Sequence, residues 1–137
     1  MSKLFNNISI LCTSIGTFLS IFFGGLDNLI ITLCAFMVID YITGVLSAIY
    51  NKKLSSQIGY KGIIKKVTML IVVAVSVLLQ NKIGIPAIRD IVILFFVSNE
   101  GISILENVSS TGLKLPPKLK EVLKQLRDKG NKTWKNL

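Results

Sequence analysis

The apolar positions of this chain fall into four long runs separated by short polar stretches. The runs Leu4–Phe23, Leu29–Tyr50, Gly62–Gln80 and Pro86–Glu106 reach or approach the ~20 residues a helix needs to cross about 30 Å of hydrocarbon. In the first run Leu4, Ile8, Leu11, Ile15, Phe18 and Phe22 recur every three or four residues. Asn6, Ser9, Thr13, Gly16 and Ser20 do the same on another face, the pattern of an amphipathic helix whose polar side carries no charge. An interfacial helix usually bears Lys or Arg on that side, and here only Lys3 stands at its start. The stripe Ser9, Thr13, Gly16 and Ser20 predicts instead a helix that lines a wet pore or packs closely on a neighbour. Topology parity leaves two options for this run, a fourth span or a helix lying in the interface. A cleaved leader fits poorly, because Phe22-Phe23-Gly24-Gly25 is not a small-x-small cleavage site.

After Lys114 the pattern changes. The stretch "LPPKLKEVLKQLRDKG" predicts a soluble amphipathic helix with Pro117 in its first turn, Leu119, Val122, Leu123 and Leu126 on one face, and Gly130 at its end. The opposite face is basic, with Lys118, Lys120, Lys124 and Arg127, and residues 114–137 carry eight basic against two acidic side chains. Such a tail should adhere to an anionic inner leaflet, and nucleic-acid binding is the weaker reading. The expected organisation is a membrane domain, residues 1–113, followed by a basic cytoplasmic tail, residues 114–137.

Composition agrees with that layout. Hydrophobic residues make up 51% of the 137, mean hydropathy is +0.64, and sixteen Lys and Arg face seven Asp and Glu. Lys52, Lys53, Lys61, Lys65 and Lys66 follow the second run, whereas the connections Gly24–Asn28 and Asn81–Ile85 hold only Asp27 and Lys82. The positive-inside rule then turns the loop after Tyr50 and the tail toward the cytoplasm. There is no His, and Cys12 and Cys34 both lie in apolar runs. No disulfide framework, metal site, cofactor or catalytic constellation is expected.

The charges inside the runs carry the chemistry. An ionised carboxylate at mid-membrane costs about 2.5–3.5 kcal/mol on insertion scales, so Asp40 should face protein or water. It shares a helical face with Thr43, Gly44 and Ser47, while Ile39, Ile42, Leu46 and Ile49 cover much of the rest. Asn99, Glu100, Ser103, Glu106 and Asn107 make a second polar stripe on the fourth run. At about 1.5 Å per residue from the ends of the runs, Lys66 and Glu100 lie at comparable depth, with Glu106 near the boundary and Asp40 deeper. The expectation is a polar seam, serving as helix glue or pore lining, in which Lys65 or Lys66 partners Glu100 or Glu106, with Asp40 further in.

The pieces "DYITG" at Asp40–Gly44, "SSQIGYKGIIKK" at Ser55–Lys66 and "NEGISILENVSSTGLKLPPKL" at Asn99–Leu119 resemble, in order and spacing, the toxin-secretion and phage-lysis holins, particularly the clostridial members. The resemblance covers roughly Leu29 to Leu126. It implies a small inner-membrane protein that oligomerises and opens lesions through which an endolysin or a large toxin leaves the cytoplasm, with no catalytic residue. The matched positions are Asp40, Gly44, Gly59, Gly62, Asn99, Glu100, Glu106, Asn107 and Pro116. On physical grounds Gly44 permits close helix approach, Gly59 and Gly62 allow a turn where the chain enters the membrane, and Pro116 separates the last span from the tail helix. The expected fold is an all-α membrane protein of three to four spans with a basic amphipathic C-terminal helix, working as a homo-oligomer. Two rivals stand beside the holin reading: an ion channel or proton-coupled transporter using Asp40 and Glu100, and an antiholin-like regulatory subunit.

Overall fold

A computed structural model describes residues 1–135, without the side chains of residues 123, 126, 127, 130, 131 and 133–135. The predicted roles of Leu123, Leu126 and Arg127 therefore lie outside the described residues. The described chain is helical throughout: α1 (Ser2–Phe23), α2 (Asn28–Tyr50), α3 (Ser56–Leu78) with a wider π turn over Leu79–Ile83, α4 (Ile88–Ser110) and α5 (Pro117–Lys135). The first four are each long and apolar enough to cross a membrane.

Local chemistry sets the helix ends. Asp27 caps α2, its carboxylate accepting from the Ile30 N–H at 3.1 Å, and the Ser55 hydroxyl accepts from the Ile58 N–H at 3.3 Å to start α3. The Ser55 cap starts α3 six residues before the predicted Gly62 and corrects the reading of the two glycines. Gly59 and Gly62 sit inside α3 and face the ring of Tyr41 on α2: a Cβ at Gly59 would stand a tight 3.3 Å from Tyr41 Oη, and one at Gly62 an ordinary contact distance of 3.6 Å from Tyr41 Cδ2. Pro86 lies in the turn before α4, whose N-cap Ala87 adopts φ +59°, and Gln80 Oε1 accepts from the Arg89 N–H at 3.3 Å. The tail helix continues past Gly130 to Lys135, beyond the predicted end.

α2, α3 and α4 form the packed unit, with α2 against α4 as its main seam. One end carries the basic Asn51–Ser55 connection and the start of the tail and is called here the basic end; the far end carries the Gly24–Asp27 and Gly84–Ala87 connections. The apolar core joins Ile30, Leu33 and Met37 of α2, Met69 and Val73 of α3, and Ile93 of α4, with Leu33, Val73 and Ile93 at 0% exposure. Phe23 and Phe96 pack on its margin. By contrast α1 buries no residue and makes its main contact with α3, and α5 lies in extensive contact with α4.

Candidate functional site

On α2 the buried stripe Ile30, Leu33 and Met37 continues at helical spacing through Asp40 and Gly44 to Ala48. A carboxylate thus occupies a position that packing would otherwise give to an aliphatic side chain. Across from it the inward stripe of α3 continues from Met69 to Lys66, and that of α4 from Ile93 to Glu100.

The three charges meet at one ammonium. Lys66 Nζ donates to Asp40 Oδ2 at 2.6 Å and to Glu100 Oε2 at 2.5 Å, and Lys65 Nζ lies 3.4 Å from Glu100 Oε1. Glu100 is fully buried and its Oε1 accepts no hydrogen bond, whereas the Lys65 side chain is 57% exposed. The Asn107 amide donates to Asp40 Oδ1 at 3.1 Å, to the Asp40 carbonyl at 3.3 Å and to Thr43 Oγ1 at 3.2 Å, and closes over Gly44. Near the basic end Ser47 and Ser110 share a 2.5 Å hydroxyl contact.

The expected seam is deeper and tighter than run lengths indicate. The observed helix ends put Asp40 ten residues before Tyr50, Lys66 ten after Ser56 and Glu100 ten before Ser110, so all three share one level. Asp40 is accordingly level with the pair and takes part in it. Glu106 is exposed and, with Asn99, Ser103 and Lys65, lines an open α3–α4 cleft, with no ion-pair partner among the described residues. The first-helix stripe Ser9, Thr13, Gly16 and Ser20 stays apart from this cluster on α1, where the Thr13 hydroxyl donates to the Ser9 carbonyl. Lys118, Lys120 and Lys124 are exposed on α5.

A second cluster, which the sequence reading passes over, ties the far end together. Arg89, with a side chain 5% exposed, donates from Nε to the Phe23 carbonyl at 2.6 Å, from Nη1 to Asp27 at 2.8 Å and Asp90 at 3.0 Å, and from Nη2 to the Gly25 carbonyl at 3.2 Å and Asp27 at 3.1 Å. One guanidinium therefore caps the carbonyl end of α1 and braces the carboxylate that caps α2. Its hydrogen bonds hold the Asp27 carboxyl below the usual carboxylate range. The available signal was an Arg two residues inside a span, opposite the single acid of the facing connection.

The bacteriophage holin family's model matches residues 17–128, which take in all of α2, α3 and α4. The chain belongs to the bacteriophage holin family. Relatives of this holin-family chain include an uncharacterised 14.9 kDa protein of Clostridium perfringens, 41% identical over 94% of this chain and 99% of the relative. An uncharacterised Listeria monocytogenes protein is 42% identical over 79% of this chain and 78% of its own length. A probable holin of Bacillus phage phi105 is 32% identical over 72% and 75%. No solved structure matches the chain. Family and helices together make it a multi-pass membrane protein.

Proposed function

We propose that the chain acts as a holin: copies accumulate in the bacterial cytoplasmic membrane, assemble, and open lesions through which an endolysin or a large toxin escapes, with no covalent chemistry. The family match carries this reading. The packing supports it, since Leu33 of α2, Val73 of α3 and Ile93 of α4 fill the space between those three helices. A path wide enough for protein has to be built between copies.

In this reading the basic end faces the cytoplasm and the tail rests its Lys118, Lys120 and Lys124 on the anionic inner leaflet. The Asp40–Lys66–Glu100 cluster, with Thr43, Gly44, Ser47, Ser103 and Asn107 around it, fixes the three spans as one rigid body that assembly can use. Buried carboxylates also suit an ion or proton path, the alternative that the test separates.

Induction of the chain in bacteria lacking any lysis enzyme, with membrane potential and release of a cytosolic reporter protein followed together, is the test. Abrupt, delayed loss of both is expected. Loss of potential alone would replace the reading with an ion channel, and no change in either would replace it with a regulatory subunit.

A further inference from the structure

Between α3 and α4 runs an open cleft of about 590 Å³, lined by Lys65, Thr68 and Val72 on one side and Phe96, Asn99 and Glu106 on the other. The lining residues recur three, four and seven apart, so the cleft is a groove along the helix pair. It mixes apolar walls with amide, hydroxyl and charged groups at a depth where lipid tails offer no hydrogen bonds.

The chain also carries a helix with matching chemistry and a largely exposed surface. α1 buries no residue, and a side chain added at Gly16 would meet nothing within 4 Å. The depth of α1 relative to the groove is set by the far-end cluster: Phe23 O bonds Arg89 Nε at 2.6 Å, and a Cβ on Gly24 would lie 3.3 Å from Val77. Thr13 is eleven residues from Gly24, Lys66 eleven from Val77 and Glu100 eleven from Arg89, about 16 Å in each helix. The Ser9–Gly16 stretch therefore spans the depth of Thr68, Asn99 and Ser103. Charge agrees as well. Glu106, at the basic end of the groove, has no cation partner among the described residues, and Lys3 is the only charged side chain on α1 and stands at the same end.

We propose that the α3–α4 groove receives α1 of a second copy of this chain, its Ser9, Thr13 and Gly16 face on Thr68 and Asn99 and its Lys3 toward Glu106. The proposal rests on the homo-oligomeric reading above and names its interface. Copies that cross the membrane in the same sense share one depth, so the register set within one chain holds for its neighbour. The chain's own α1 does not line the groove, and Arg89, gripping the Phe23 and Gly25 carbonyls, fixes the end of α1 beside Val77 of α3. Each copy then donates one surface and accepts on another. Such a head-to-tail contact closes into rings or extends into open arrays.

The test uses the full chain with Cys12→Ser and Cys34→Ser, expressed as two differently tagged copies in bacterial membranes. One copy carries Thr13→Cys and the other Asn99→Cys, with Gly16→Cys and Thr68→Cys as a second pair and Leu11→Cys, on the opposite face of α1, as control. Oxidation should give a mixed-tag dimer from both pairs and none from Leu11→Cys. Glu106→Lys should lower the yield about threefold, the scale of one exposed ion pair, and Lys3→Glu should restore it. A lysine-reactive cross-linker on the same membranes reports assembly independently. A ladder of oligomers without the mixed dimer, or with an equal dimer from Leu11→Cys, overturns the interface and leaves the oligomer standing. A product formed only when both cysteines share one chain overturns it in favour of α1 closing on its own groove, and monomer throughout overturns interface and oligomer together.

Discussion

At the scale of single residues, Lys66 and Arg89 each concentrate several partners on one cation. Removing one member of a buried ion pair strands the others, at a cost of about 3–5 kcal/mol. Lys66→Met should destabilise the helix bundle by that order, because Asp40 and Glu100 are left facing each other, and adding Asp40→Asn with Glu100→Gln should recover most of the loss; denaturation of purified protein in detergent measures both. Asp27 provides a pH signature. Its carboxyl is held low by Arg89, so the pair's contribution is complete above the ordinary carboxylate pKa of about 3.9 and is lost as pH falls through the lower folded value. The carboxylate is half exposed, which limits the effect to about 1 kcal/mol. Thermal stability should therefore be flat from neutral pH down to about 4.5 and decline below it, and Asp27→Asn should make that decline shallower. The two cations differ in legibility. Lys66, Asp40 and Glu100 stand out in the sequence because lipid makes any charge conspicuous. The Arg89 cluster does not, because its partners are a loop acid, the neighbouring Asp90 and two backbone carbonyls, and no residue pattern records which carbonyls a turn turns inward.

At the scale of elements, similar glycines serve opposite purposes, and only packing distinguishes them. Gly24 ends α1 at φ +70° with Arg89 Nε 3.0 Å from where a Cβ would lie, so Gly24→Ala should cost about 1–3 kcal/mol. Gly62 is an ordinary helical residue with Tyr41 carbons 3.6 and 3.8 Å from that point. Gly62→Ala should be tolerated or gain roughly 0.5 kcal/mol from helix propensity. Comparing the two variants in one unfolding assay checks both statements. The four long helices were readable from hydropathy, since a bilayer forces every backbone group to bond within its own segment. Their ends were readable only where a cap residue marks them: Ser55 sits outside the apolar run, so the start of α3 moved by six residues and carried the depth of Lys66 with it.

For the whole molecule, the proposed holin reading places permeability in an assembly of copies, because the space between α2, α3 and α4 is filled. The onset of leakage should thus advance more steeply than in proportion to expression level, as a graded promoter with a potential-sensitive dye would register. Replacing Lys118, Lys120 and Lys124 by Gln should leave insertion intact while weakening attachment of the tail to anionic vesicles, by about 1 kcal/mol per charge at low salt. What the sequence determined by itself is the membrane as solvent, the number of long helices and the presence of costly charges inside them, because these follow from local composition against the thickness of a bilayer. The meeting of Lys66 with both Asp40 and Glu100, the grip of Arg89 on the end of α1, and the open groove beside an unpacked α1 were decided by tertiary structure alone. Each depends on how helices distant in sequence are rotated and shifted against one another, and that relative placement comes from packing the whole bundle at once.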